Sequence, residues 1–277
     1  MTKNDAVADH YTHGRLLDAI LAGVAALGKS PETVDIDELA PVDEFHIGGR
    51  QATEDFVAQL GLSPEDHVLD VGCGIGGTAR YLASTCGCQV TGLDLTPEFV
   101  ETGRALCAWV GLGERVDLTQ GSALAMPFEP DRFDAAVMLH VGMNIADKAG
   151  LFAEVGRVLR PGGTFGLYDI MRCNDEPLVY PVPWAAAPDT SALATPEDYR
   201  AALAGAGFEV TGERDRRAFA AEFFADLRKR TEAASGPPPL GLHILLGETA
   251  ALKVRNMVDN VAAGRVSPVE MIARKRP

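Results

Sequence analysis

No apolar run in this sequence approaches the roughly 18 residues that a membrane-spanning helix needs. Positive charge is scarce as well, with 25 Lys and Arg against 39 Asp and Glu, a formal net charge of −14. Such a surface repels phosphate backbones and anionic lipid, so neither nucleic acid nor membrane is expected as a partner. The dense basic runs (214–217, 228–230 and 274–276) read as solvated helix and terminus charges. The five cysteines are an odd number without a Cys-x-x-Cys pair, and Cys86-Gly87-Cys88 is too tight for a usual zinc hairpin. No metal is expected. With no signal peptide evident, reduced thiols and a cytoplasmic location are the expectation. Internal repeats and low-complexity tracts are also missing. What remains is an ordinary globular composition, 47% hydrophobic and 23% charged, long enough for one large α/β domain with decorations.

Periodicity organises that chain. The first ten residues read as a polar, mobile end. Leu16, Leu17, Ile20, Leu21, Val24 and Leu27 recur at helical spacing and predict a helix over about 12–28. An acidic, proline-bearing stretch, 30–44, reads as a connector, and a second helix is expected over 50–61. From residue 67 strands and helices alternate. Strands are expected at 67–71, 89–94, 115–119, 133–139 and 164–170, with Thr96 and Asp147 capping two of the helices between them. Residues 171–195, rich in proline, read as an ordered insertion. A helix opening at Thr195, strands at 208–214 and 269–275, and a mostly helical stretch over 215–265 complete the chain. Alternation of this kind implies a Rossmann-like, doubly wound α/β fold: a mostly parallel seven-stranded sheet with helical N-terminal and C-terminal cap elements. The organisation expected is an N-terminal helical lid, 1–49, and a main domain, 50–277, with cap insertions at about 171–195 and 215–265.

The strongest chemical signal is Val68-Leu69-Asp70-Val71-Gly72-Cys73-Gly74-Ile75-Gly76-Gly77. A strand runs into a glycine turn and then into a helix, so bare backbone and free N–H donors face a ligand. Asp94 ends the next strand, about twenty residues on, where a carboxylate can hold a ribose diol. Gly72, Gly74 and Gly77 also satisfy G-x-G-x-x-G, which keeps a NAD(P)-dependent oxidoreductase open as an alternative. Asp70, two residues ahead of the first glycine, and two expected helices before the first strand favour a different family.

With those features the sequence resembles the class I S-adenosylmethionine-dependent methyltransferases, small-molecule type. Leu93-Asp94-Leu95, the run from Gln120 to Phe128, Phe133 to Val137 and Arg157 to Gly163 match further landmarks in order. The resemblance covers about residues 50–172. It implies S-adenosylmethionine as cofactor, with Asp70, Gly72, Cys73 and Gly74 lining its methionine part. Asp94 would hold the ribose, Ser122 and Ala123 would face the adenine, and Leu95 would be a further cofactor contact. Ser122 stands where the family commonly has Asp. Nucleic-acid amino methyltransferases carry an Asn/Asp-Pro-Pro-Tyr/Phe string where this chain has Leu139-His140-Val141-Gly142.

Transfer from a sulfonium needs alignment, close approach and exclusion of water, and for a phenol or enol a base as well. His140, directly after the fourth strand, is the best-placed titratable group, as a catalytic or cofactor contact or as a structural hydrogen bond. His46, in Phe45-His46-Ile47-Gly48-Gly49, and Tyr168, at the end of the fifth strand, are the other catalytic candidates, although Tyr168 can equally point into the core. Tyr11, His46, Tyr180, Trp184 and His243 are the candidate substrate contacts, and His13 could join Tyr11 in folding over the site. Tyr180 and Trp184 suggest an aromatic cage for a cation. The expected substrate is a small molecule, an amine or a phenol-like metabolite, as in the sarcosine/dimethylglycine and quinone methyltransferases that this chain is similar to. A homodimer is admitted as the assembly, and a non-catalytic cofactor-binding module is a further alternative.

Overall fold

The computed structural model describes residues 10–12, 14–234 and 236–277, so residues 1–9 of the expected mobile end and His13 lie outside the described residues. Seven strands form a single sheet in the order β3-β2-β1-β4-β5-β7-β6. They are β1 (His67–Val71), β2 (Gln89–Asp94), β3 (Val116–Gln120), β4 (Phe133–Leu139), β5 (Leu159–Arg172), β6 (Phe208–Asp215) and β7 (Val266–Lys275). All pairings from β3 through β5 are parallel, and β7 runs antiparallel to both of its neighbours. The sheet is the mostly parallel, doubly wound one that the alternation implied.

Ten helices accompany the sheet among the described residues, besides short 3₁₀ turns. They are α1 (Leu16–Ala26), α2 (Ile36–Asp43), α3 (Gly49–Val57), α4 (Gly77–Thr85), α5 (Pro97–Trp109), α6 (Lys148–Val158), α7 (Pro196–Gly205), α8 (Arg217–Ala233), α9 (His243–Leu246) and α10 (Ala250–Ala262). Successive residues of β4 point to opposite faces. Ala136 and Met138 pack with Phe152, Val155 and Leu203 of α6 and α7. Ala135 and Val137 pack with Phe56, Leu82 and Val100 of α3, α4 and α5. Two further apolar clusters carry the decorations. Leu16, Ile20 and Val24 of α1 meet Leu39, Val42, Phe99 and Leu245, while Trp184 and Val182 of the 171–195 insertion meet Met143, Ile170 and Met257.

Local chemistry set several boundaries differently from the expectation. The 30–44 connector contains α2, opened by a capping box in which Asp35 accepts from the Glu38 N–H at 2.9 Å and Glu38 accepts from the Asp35 N–H at 3.0 Å. Pro41 inside that helix had disguised it. Thr96 makes no side-chain cap on α5; its own N–H is held by Asp94 at 2.8 Å. Asp147 does cap α6, and Thr195 opens α7 with a capping box.

Candidate functional site

The carboxyl ends of β1, β2 and β4 open onto a cavity of about 340 Å³, within the range of small-molecule sites. At one end lies the turn after β1. Gly72 and Gly74 have φ of +71° and +55°, which side-chain-bearing residues rarely adopt. A Cβ on Gly72 would strike the Val141 side chain at 2.4 Å, whereas one on Gly74 would meet no protein atom within 4 Å and would project into open space. Glycine is required at the first position by packing and at both by conformation.

Asp94 braces this turn from the end of β2. One carboxylate oxygen accepts the Gly74 N–H at 2.9 Å and the other the Thr96 N–H at 2.8 Å. Asp70, at the penultimate position of β1, is 2% exposed, and its Oδ2 has no hydrogen-bond partner although it lines the cavity. Burial first, and the nearby Asp94 charge second, push the Asp70 carboxyl up to about 7. Cys73 lines the same end, but burial holds its thiol well above the usual value, so it stays protonated. Leu95, Ser122 and Ala123 line the wall beyond Asp94. The Ser122 hydroxyl accepts from the Leu124 N–H at 3.2 Å.

Two histidines from distant segments meet along the cavity wall. The His140 backbone, at φ +55°, donates to the Tyr168 carbonyl at 2.7 Å, and its ring lies 4.9 Å from the Tyr168 ring and 5.8 Å from that of His46. Burial, and then the neighbouring His46, depress the His140 pKa well below its ordinary value. His140 is therefore a neutral imidazole, and its Nε2 has no partner. His46, 7% exposed, is held by Glu44: His46 Nε2 lies 2.9 Å from Glu44 Oε2 and 3.0 Å from Thr53 Oγ1. The Thr53 hydroxyl donates to the same carboxylate oxygen at 2.6 Å, and Arg50 Nε donates to the other at 2.6 Å. Burial alone would raise the Glu44 carboxyl, but His46, Thr53 and Arg50 more than reverse this and hold it down at about 2.

The candidate residues separate into two groups. Asp70, Gly72, Cys73, Gly74, Asp94 and Leu95 border the cavity, as do Ser122, Ala123, His46, His140, Tyr11 and Trp184. Tyr168 does not. It is fully buried beneath both histidines and donates to the Ile47 carbonyl at 3.0 Å, so it supports the loop rather than reaching a substrate. Tyr180 packs into the fourth apolar cluster away from the cavity, and the Trp184 N–H donates to Ser191 Oγ at 3.0 Å; no aromatic cage is assembled. His243 begins α9, but Leu245 of that helix is the residue that borders the cavity. Tyr11 packs against Phe99 and its hydroxyl donates to Asn144 at 3.4 Å, while His10 contacts the Pro183 carbonyl at 3.1 Å. His10 thus reaches the 171–195 insertion, and Tyr11 beside it borders the cavity.

Sequence reasoning missed Glu44, Thr53, Asp43 and Arg80. An available signal was the acid pair Asp43-Glu44 so close to His46, following a D-x-x-E capping box.

Residues 69–167 match the family described as "Methyltransferase domain". Over that stretch the chain is similar to methyltransferase domains. It is 32% identical over 166 residues to the methyltransferase GfsG of Streptomyces halstedii, a stretch covering 60% of this chain and 58% of that protein. A sterol 24-C-methyltransferase of Gibberella zeae is 36% identical over 110 residues, covering 40% of this chain and 29% of the enzyme. The matched stretch thus spans from under a third to under three-fifths of these relatives' length. Among solved structures, the cyclase SpnF superposes with a TM-score of 0.69 at 23% identity, over 100% of this chain and 97% of that one. That likeness speaks for the fold alone, and it extends over the whole length of this chain.

Proposed function

We propose that the protein transfers a methyl group from S-adenosylmethionine to a small-molecule acceptor. The observation that carries this reading is the arrangement at the turn after β1: an open face at Gly74, the Asp94 carboxylate beside it, and a buried Asp70 oxygen without a partner. A cation fits such a place and an anion does not. Among the described residues no lysine or arginine borders the cavity, while Asp43, Asp70 and Asp94 do. A dinucleotide's pyrophosphate laid on this turn would face those carboxylates, which disfavours the oxidoreductase alternative.

By the family resemblance, Asp70 with the backbone of 72–74 would hold the methionine end, Asp94 the ribose, and Ser122 and Ala123 the adenine, with Leu95 a further cofactor contact. The bound cofactor supplies a methyl group already activated on a sulfonium. The protein's part is then to align the acceptor and keep water out. Tyr11 and Trp184 are proposed as walls of the acceptor space, and residues 1–49 as its lid. A homodimer and a cytoplasmic location complete the proposal, the latter supported by five free cysteines.

The test is thermal unfolding with S-adenosylhomocysteine or NAD(H), followed by incubation with methyl-labelled S-adenosylmethionine and a metabolite extract. Stabilisation by S-adenosylhomocysteine and label in a small product are expected. Stabilisation by NAD(H) alone would overturn the reading. Binding without any labelled product would leave a non-catalytic module.

A further inference from the structure

The acceptor side of the cavity differs in chemistry from the cofactor side. Ile47, Met143, Ile170, Trp184 and Met257 border it and belong to one apolar cluster. The cations nearest in the chain are already engaged. Arg50 pairs with Glu44 and Arg80 with Asp43, while Lys148 Nζ donates to the carbonyls of Gly142, Ile145 and Ala192 at 2.8, 2.5 and 2.8 Å. Among the described residues no lysine or arginine borders the cavity to hold a phosphate or carboxylate. A cationic amine finds no better partner here, because the carboxylates bordering the cavity are those of the glycine-turn end and the exposed helix cap Asp147, while Glu44 is occupied by His46, Thr53 and Arg50.

Among the polar groups bordering the cavity, the Tyr11 hydroxyl and Asn144 are engaged with one another, and the imidazoles of His46 and His140 stand beside the apolar residues. With Nε2 donating to Glu44, the His46 ring is fixed in one tautomer, which leaves Nδ1 as the basic nitrogen; its nearest polar neighbour is the Ile47 carbonyl at 3.5 Å, a weak contact. That carbonyl is already the acceptor of the Tyr168 hydroxyl. A carboxylate that orients an imidazole and stabilises its protonated form is the arrangement that makes histidine an effective base.

Building on the methyl-transfer reading, we infer that the acceptor is an uncharged, largely apolar molecule carrying a hydroxyl group, an alcohol, phenol or enol methylated on oxygen, with His46 as its base and Glu44 as the positioning residue. The hydroxyl proton passes to His46 Nδ1 as the oxygen lone pair forms the bond to the methyl carbon. The carbon–sulfur bonding pair departs with sulfur, leaving a neutral thioether and an ether product, and the imidazolium later releases its proton to water.

The experiment uses the full chain, methyl-labelled S-adenosylmethionine and a metabolite extract of the source cells. The labelled product is expected to pass unretained through both anion and cation exchangers and to release its label as methyl iodide on hydriodic acid cleavage. Retention on either resin, or label that resists cleavage as a C-methyl group does, overturns the acceptor assignment while leaving methyl transfer intact. No labelled product at all removes the reading on which it rests. With the product known, His46→Asn should lower kcat by about a hundredfold or more with S-adenosylhomocysteine affinity held within about threefold by calorimetry.

Glu44→Gln supplies a readout that a merely structural role would not move. The groups facing His46 are Glu44 and Arg50 on its own side, His140 from the end of β4 and Tyr168 from β5. Removing the carboxylate destabilises the imidazolium, so the acid limb of the kcat profile should move to lower pH as the plateau falls. An unmoved acid limb, or kcat unchanged in His46→Asn, overturns the base assignment.

Discussion

Asp43, the last residue of α2, and Arg80, near the start of α4, form an ion pair with both side chains at 0% exposure. The same guanidinium donates to the Ile75 carbonyl in the glycine turn at 2.7 Å. A Cβ on Gly77 would come within 2.6 Å of Asp43, so α2 sits directly on the helix that the turn opens. The pair therefore locks α2 onto the glycine turn and the helix that follows it. Arg80→Ala should cost about 3–5 kcal/mol, since it strands a buried carboxylate. Replacing both residues, Asp43→Leu with Arg80→Met, should cost clearly less. Urea unfolding of the single and double variants measures the difference, and equal losses would contradict the coupling.

Gly74→Ala separates conformation from occupancy. Its new methyl group meets no protein atom, so the stability loss should stay near the ~1–2 kcal/mol of left-handed backbone. Because that methyl enters the cavity, affinity for S-adenosylhomocysteine should fall at least tenfold by calorimetry.

Asp94→Ala should weaken S-adenosylmethionine binding by about 1–3 kcal/mol, the usual loss of a charged hydrogen-bonding partner. Two effects contribute, because the carboxylate also holds the N–H groups of Gly74 and Thr96. Titration calorimetry with the variant checks it, and unchanged affinity would remove the ribose assignment.

Asp70 predicts a pH dependence of definite sign. Its folded pKa, near 7, lies above the roughly 3.9 of an unfolded aspartate, so the native state holds a proton between those values. The stabilising contribution is complete below about pH 4 and is lost as pH rises through 7. A cationic ligand prefers the ionised carboxylate, so affinity should rise between pH 6 and 8 with release of a proton. Asp70→Asn should flatten both trends, which calorimetry in buffers of different ionisation enthalpy will resolve.

Much of the site was legible because its signals are local. A strand ending in Asp70-Val71-Gly72 followed by Gly74 and Gly76 needs positive φ at close spacing, and glycine is the residue that supplies it without strain. The end of β2 at Asp94 follows from the same strand–helix rhythm. Tyr168 shows where that reading stops. In a strand buried on both faces, alternation does not say which side a residue takes. Its hydroxyl went to Ile47 because the 44–49 loop happens to cover that face. Arg80 was illegible for a related reason: a charged residue on a helix looks solvated until packing removes the water.

The amino-acid order alone determined the sheet type, the cofactor turn and its acidic partner, since period, φ sign and strand ends are properties of a few neighbouring residues. Only the tertiary structure decided that His46 and His140 share one wall, that Glu44 bonds His46, and that Met143, Ile170 and Met257 make part of the same cavity apolar. Those relations join segments far apart in the chain, and they exist only once the sheet, the 44–49 loop and Tyr11 border the same cavity.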